Sequence, residues 1–377
     1  MRVTLVGPPQ SGKSVLFAAI AESGGSHVDL SRADQPHLAV VKVPDERLTW
    51  LSQLYRPEKT TPAELEFLDL PGMDLSDEAG RKRAKEHWAA MRQADMLVFV
   101  LRNFNSPTVA AYRDRVEPQS DLQELLAEML FADLDQVSAR MEKLETALKK
   151  PSPKRDEQVR ELDLMTRLKN ALESEKPLSE TITDPTEEKL VRGFGFLSQK
   201  PSLVVLNVDE DYLAQNAGTA QDAGETPAAH ADKMSASHTE KFGPLACVAL
   251  SAKIEEEIAQ LPPEDRVEFM ADLGLKASAR DRLIRACYSS LRLVSFLTAG
   301  EDECRAWTIP AGTDAVTAAA EIHSDIARGF IRAETVSYED LFAAGDMKGV
   351  KAAGKTRLEG KTYIVRDGDI INFRFNV

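Results

Sequence analysis

The chain has 377 residues, 47 Lys+Arg against 61 Asp+Glu, and a formal net charge of −14. At 43% hydrophobic and 29% charged it has globular composition, with length for two or three domains, which excludes a disordered tail protein. The acidic balance excludes whole-surface attraction to nucleic acid, so any RNA contact has to come from local basic patches.

From the N-terminus, 2–6 (RVTLV) is an apolar strand pattern with no signal-peptide core, and an apolar helix pattern begins at Val15. Residues 64–68 form a second strand pattern leading into Asp69. Met96 to Leu101 is nearly all apolar, as a strand buried on both faces of a parallel sheet requires, and 203–206 and 245–250 repeat that character. Helical stretches between them predict a doubly wound α/β domain. Leu130, Leu134, Val137, Met141, Leu144 and Leu148 are spaced 4, 3, 4, 3 and 4 residues apart, a stripe on one helix face. After a basic turn holding Pro151 and Pro153, Val159, Leu162, Met165, Leu168 and Leu172 form a second stripe. Together they predict an antiparallel helical hairpin whose first arm, at ~1.5 Å per residue, spans roughly 40 Å. Residues 214–240 are rich in small polar residues and read as a loop. From about Leu291 short strand patterns, among them 362–365 and 370–375 around Asp367-Gly368-Asp369, predict a small α+β module. Three scattered cysteines (Cys247, Cys287, Cys304) predict a reducing, cytoplasmic setting, and no stretch is apolar enough for a spanning helix.

Gly7-Pro8-Pro9-Gln10-Ser11-Gly12-Lys13-Ser14 fits G-x-x-x-x-G-K-[ST] between a strand and a helix. Such a loop turns backbone N–H groups towards phosphate oxygens, and the helix N-terminus behind it favours negative charge. Lys13 is predicted to reach the β- and γ-phosphates, and Ser14 to bind Mg²⁺. Asp69-Leu70-Pro71-Gly72 ends the second strand, where the Asp holds Mg²⁺ through water and the Gly N–H senses the γ-phosphate. Asn207-Val208-Asp209-Glu210 ends a later strand at the base-reading position, and Ser251-Ala252-Lys253 follows the last. The candidate catalytic residues are Lys13, Asp69 and Gly72. Candidate nucleotide contacts are Gly7, Gln10, Ser11, Gly12, Lys13, Ser14, Val15, Asn207, Val208, Glu210, Ser251 and Ala252, and the metal candidates are Ser14 and Asp69. The base-reading motif departs from [NT]-K-x-D: Glu210 replaces the Asp that pairs with guanine, and Val208 replaces the Lys that packs on the base. A mismatched guanine site leaves polar groups unpaired, which favours adenine.

These residues resemble the YchF-type Obg-like ATPases across essentially the whole chain. That family carries N-x-x-E, present at Asn207 and Glu210, and inserts a helical hairpin into its nucleotide domain. The similarity is strongest from Glu264 to Met270, Phe296 to Gly300, Arg305 to Ile309, Ile322 to Asp325, Arg328 to Glu334 and Gly368 to Val377. The resemblance implies a P-loop NTPase with a Rossmann-like, mostly parallel sheet, an inserted antiparallel hairpin and a C-terminal β-grasp (TGS) domain. It places the nucleotide domain at 1–120 and 185–290, the hairpin at 121–184 and the TGS domain at 291–377. It also implies an ATP-preferring hydrolase that associates with ribosomes and regulates translation or stress responses; with ATP and Mg²⁺ as the expected cofactors, Met73 in switch II predicts that hydrolysis is slow. Ribosomal RNA is expected to meet the hairpin tip, 149–155, and the basic stretch 348–361. No membrane or DNA partner is expected.

The N-terminal part departs from the family pattern. The phosphate loop usually reads N-V-G-K-S-T; here it is Gln10 to Val15. Ala33 falls where switch I offers Mg²⁺ a Thr, with Ser26 and Ser31 nearby. Switch II, Met73 to Gly80, is short and charged, and Met73 stands where many switch NTPases have a water-orienting Gln. The His that follows the next strand in many members has no counterpart between Asn103 and Glu117, and His87 reads as a surface helix residue. His323, Trp50, Trp88 and Trp307 read as structural. These departures leave a nucleotide-binding scaffold with little hydrolysis as the alternative; a GTPase is the third reading, against which Val208 and Glu210 weigh.

Overall fold

The computed structural model describes residues 1–23, 34–151, 153–216, 242–273, 275 and 277–376. Ser26, Ser31, Ala33 and most of the loop expected at 214–240 lie outside the described residues. The chain divides into two compact units, Met1–Ala39 with Glu66–Arg280, and Val40–Leu65 with Asp281–Val377. Residues 40–65 therefore group with the C-terminal unit, although the sequence reading kept 1–120 together.

In the first unit β1 (Arg2–Val6) is followed by α1 (Lys13–Ser23), and β2 covers His37–Lys42. With β4 (Glu64–Asp69), β5 (Met96–Asn103), β6 (Ser202–Val208) and β7 (Ala246–Leu250), the strands form a sheet ordered β2-β4-β1-β5-β6-β7. Every pair from β4 to β7 is parallel. Met96 to Leu101 is fully buried, as the unbroken apolar run predicts for a strand covered on both faces. The register sets Leu5 beside Asp69, and Asn207 beside Leu250, so the motif residues gather at the carboxyl edge, where ligands of such sheets bind.

After α3 (Glu78–Lys85) and α4 (Trp88–Gln93), the hairpin is α5 (Pro118–Leu148) and α6 (Arg155–Glu173), so it begins three residues before the expected 121–184. Pro118 fits the first turn because its missing N–H has no intrahelical acceptor there. Leu130, Leu134, Val137, Met141 and Leu144 pack with Leu164, Met165, Leu168 and Leu172, as the stripes predict. Leu148 and Val159 fall outside this cluster, and Val159 is 40% exposed.

In the second unit α2 (Glu46–Tyr55) and β3 (Lys59–Thr61) join β8 (Leu293–Ala299), β9 (Glu303–Pro310), β10 (Phe330–Ser337), β11 (Arg357–Glu359) and β12 (Asp369–Phe375). The sheet order is β11-β10-β12-β8-β9-β3. Its first and last long strands, β8 and β12, are parallel neighbours flanked by antiparallel partners. The helix Ala315–Ile322 buries Ala315, Ala318 and Ala319 against Phe296, Phe330 and Phe373. A parallel central pair with antiparallel flanks is the arrangement of a β-grasp sheet, the fold the resemblance implies for this part. The strand expected at 362–365 is not formed; Ile364 makes only an isolated bridge with Asp314. The segment is held by backbone bonds from Ala315 N to the Tyr363 carbonyl and from Val365 N to the Thr313 carbonyl, and by the Tyr363 hydroxyl, which donates to Asp369 at 2.6 Å.

Trp50 packs against Tyr338 and Phe342, Trp88 against the first unit's core, and Trp307 stacks on Phe296. His323 accepts a hydrogen bond from the Asp325 amide at 3.1 Å, a helix-capping role. Among the described residues no helix is long and apolar enough to cross a membrane.

Candidate functional site

The phosphate loop connects β1 to α1, and its shape is dictated by close approaches. A Cβ on Gly7 would stand 2.3 Å from the Val100 carbonyl oxygen. Gly12 has φ +83°, and a Cβ there would stand 2.1 Å from the Asn207 amide nitrogen. Gln10 also takes a positive φ, +61°, which leaves its side chain at the exposed crest of the loop. The first turn of α1 carries no acidic residue of its own, so the positive end of the helix dipole faces the loop.

Adjacent residues of α1 converge on one carboxylate. Lys13 Nζ donates to Asp69 Oδ1 at 2.5 Å and to the Leu70 carbonyl, and Ser14 Oγ donates to Asp69 Oδ2 at 2.7 Å. Lys13 and Asp69 are 5% and 2% exposed, so the pair is desolvated. The Ser11 hydroxyl is buried and has no hydrogen-bond partner. An unpaired buried hydroxyl is costly, and a phosphate oxygen in the loop is the acceptor that would satisfy it. Ser14 and Asp69 are few protein ligands for a metal. That number suits Mg²⁺, which keeps several waters and takes further oxygens from substrate phosphates.

Switch II is fixed to the same loop. The Met73 amide donates to the Gly7 carbonyl at 2.9 Å, and a Cβ on Gly72 would stand 2.9 Å from Pro9 Cα. Only glycine at 72 lets the two segments pass this closely. The Met73 side chain is 1% exposed and lies in the core with Leu122 and Leu125, so it presents nothing to a water. His87 is half-buried rather than on the open surface expected for it. Burial lowers its pKa, Glu86 opposes that shift, and Lys13 adds to it.

At the other end of the site Asn207 acts as a staple. Its Nδ2 donates to the Ser11 carbonyl at 2.9 Å, and its Oδ1 accepts from the Ala252 amide at 3.0 Å. Both polar ends are thus committed to backbone, and Asn207 holds the phosphate loop to the loop after β7. Ser251 caps the helix Ala252–Gln260 through Oγ. Glu210 Oε1 meets Lys253 Nζ at 3.1 Å, linking the segments after β6 and β7 on the surface. Val208 departs from its expected place. It is 2% exposed and packs with Leu206 and Phe242, so its side chain is turned into the core and not towards a ligand.

Arg102, at the end of β5, was not singled out from sequence. Its buried guanidinium donates to the carbonyls of Phe104, Val109 and Ala110 and, at 3.4 Å, of Gln10, tying the phosphate loop to the segment after β5. An isolated Arg at the end of an apolar run gives no sequence signal for four carbonyl acceptors, one of them 92 residues away. Replacing Ser11 with alanine is expected to weaken nucleotide affinity about three- to tenfold while leaving nucleotide-free stability unchanged or raised, because the hydroxyl's only partner is then the ligand. Titration calorimetry and urea unfolding check the two halves.

Residues 293–376 match the YchF-GTPase_C family model, described as a protein of unknown function (DUF933), and residues 2–137 match MMR_HSR1, described as a 50S ribosome-binding GTPase. The chain is 39% identical over 374 residues to the ribosome-binding ATPase YchF of Bacillus subtilis, covering 99% of this chain and 98% of that one. It is 32% identical to Obg-like ATPase 1 of Oryza sativa, covering 100% and 92%. Among solved structures, that titled the Schizosaccharomyces pombe YchF GTPase matches with a TM-score of 0.83 and 26% identity over 99% and 97% of the two chains. The printed names differ on the nucleotide, adenine for the first two and guanine for the third.

Proposed function

The chain belongs to the YchF family of Obg-like ATPases, and from that premise we propose a slow P-loop ATPase that binds the ribosome and regulates translation or stress responses. The observation that carries the catalytic part is the convergence of Lys13 and Ser14 on Asp69, beneath a loop whose Ser11 hydroxyl lacks a partner.

In this reading Gly7 and the loop from Gln10 to Val15 hold the phosphates, and Ser14 and Asp69 hold Mg²⁺. The ion, when bound, neutralises charge on the phosphate oxygens. Lys13 is a buried cation whose partner is Asp69, and a phosphate competes with that carboxylate for it. Asn207 keeps the phosphate loop and the base-reading loop in register, and Gly72 keeps switch II against Pro9. With Met73 buried, no side chain at that position orients water. Turnover is therefore expected to be slow alone and faster with ribosomes. Single-turnover assays with and without ribosomes check this; fast unstimulated hydrolysis contradicts it. The same buried Met73 favours a second reading, a nucleotide-binding scaffold with little hydrolysis, and the ribosome-stimulated arm separates the two.

Adenine is the proposed base because Glu210 and Val208 remove both features of a guanine site. An ATP analogue is expected to bind at least about tenfold tighter than the matching GTP analogue, a difference of ~1.4 kcal/mol. Equal affinities by calorimetry would remove the adenine preference. For ribosomal RNA the hairpin tip at 149–155 is the stronger candidate, since its described residues are exposed. In the stretch 348–361, Lys348, Lys351 and Lys361 are exposed too, but Lys355 is paired with Asp340 and Arg357 with Asp369. Charge reversal at the tip that left ribosome co-sedimentation intact would remove that contact from the proposal. A ribosome-binding protein works in the cytoplasm, the compartment we propose.

A further inference from the structure

The segment after β5 holds the backbone of switch II. Tyr112 Oη accepts from the Leu75 amide at 2.8 Å, and Arg113 Nη2 donates to the Leu75 carbonyl at 2.7 Å. Consecutive side chains thus take both backbone groups of one switch II residue. Arg113 also donates to Glu124 Oε1 at 2.8 Å, in the second turn of the hairpin helix α5. Arg81, on the helix that follows switch II, reaches the Leu75 carbonyl at 3.2 Å and the same Glu124 carboxylate at 3.5 Å. The backbone that aims these groups is unusual: Arg113 and Asp114 both take positive φ, +54° and +53°, without being glycine. Two such residues in succession persist only where the surroundings hold them.

The position of this clamp gives it a consequence for turnover. Leu75 lies three residues beyond Gly72, and between them Met73 donates its amide to Gly7 of the phosphate loop. With no side chain at 73 to orient water, alignment at the terminal phosphate depends on where the switch II backbone is fixed. One end is fixed at Gly7 and the other at Leu75. We propose that Tyr112 and Arg113 are positioning residues for ATP turnover, holding the switch II backbone at Leu75 and fastening it to the root of the hairpin at Glu124. The inference rests on the ATPase reading above. It adds that the hairpin and the phosphate loop are joined through this segment, so displacement of one end is felt at the other.

The experiment uses the full chain with Tyr112→Phe, Arg113→Ala and Arg113→Lys. ADP affinity by calorimetry is expected to stay within about twofold of wild type, because Tyr112 and Arg113 bond to switch II and Glu124 and not to the phosphate loop. Single-turnover hydrolysis of ATP is expected to fall about tenfold in Arg113→Ala, the effect of one positioned hydrogen bond to a charged group, and to recover in part in Arg113→Lys. Amide exchange across 73–81 and 118–128 is expected to speed up in Arg113→Ala, both nucleotide-free and with a non-hydrolysable ATP analogue. Unchanged exchange at 73–81, or turnover at the wild-type rate in Arg113→Ala, overturns the inference while leaving the ATPase reading standing. Loss of ADP affinity by the same factor as turnover also overturns it, since that is the mark of a general structural role. A wild-type chain with no turnover, alone or with ribosomes, overturns the ATPase reading and this inference with it.

Discussion

Lys13→Met is expected to lower affinity for an ATP analogue by at least about a hundredfold and also to destabilise the nucleotide-free protein. The first effect follows from losing two or more charge-assisted hydrogen bonds to phosphate, each worth ~1.5–3 kcal/mol, where ~1.4 kcal/mol is tenfold. The second follows from the pair in the empty loop. Asp69 is 2% exposed, and without Lys13 it keeps only the Ser14 hydroxyl as a side-chain donor. Breaking a buried pair by removing one partner costs about 3–5 kcal/mol. The two effects separate in the double variant Lys13→Met/Asp69→Asn, which is neutral at both positions. Its stability by urea unfolding is expected to return towards wild type while its nucleotide affinity does not. A single variant with wild-type stability would mean that solvent reaches Asp69 more freely than its burial implies.

Asp133→Ala is expected to cost about 3–5 kcal/mol of stability in the nucleotide unit, with little direct effect on nucleotide contacts. Asp133 lies in the middle of α5 with no exposure. Its carboxylate accepts from Arg92 Nη1 at 3.0 Å, the Leu197 amide at 3.0 Å, and the Ser198 amide and hydroxyl, each at 2.8 Å. Alanine strips a buried acid from all four donors at once, and unsatisfied buried donors are expensive. Asp133→Asn keeps the shape and one acceptor oxygen, so its loss is expected to be intermediate. Denaturant unfolding of both variants gives the comparison, and a loss below about 1 kcal/mol in the alanine variant would show that water replaces the carboxylate. Arg92 belongs to the helix Trp88–Gln93, so the network pins the region after switch II to the hairpin a second time.

Features that depend on neighbours in sequence were legible before any coordinates. The hairpin follows from apolar spacings of 3 and 4, and the structure packs Leu130, Val137, Leu144, Leu164 and Leu168 on each other as those spacings require. Val159 fell out because the stripe fixes a face, not how far along it the partner helix extends. The three-residue strand β3 was unreadable: Lys59-Thr60-Thr61 is too short to show alternation, and it is a strand only because β9 offers a parallel edge. Val208 was misplaced for a related reason. Its strand is buried on both faces, so apolar character says nothing about which way one side chain points.

The opening arithmetic and motifs by themselves determined a globular, acidic P-loop protein, the order of its parts, and the residues of its phosphate loop. Those properties reside in composition, local periodicity and a motif whose spacing is set by backbone geometry around phosphate. The tertiary structure alone decided what each polar side chain is attached to. Asn207 holds Ser11 across 196 residues, Lys13 meets Asp69 across 56, and Arg113 reaches Leu75 across 38. Hydrogen bonds of that range depend on strand register and loop path, which no local pattern encodes. The net charge of −14 is compatible with many surfaces, and it is the fold that exposes the hairpin tip and pairs Arg357 with Asp369.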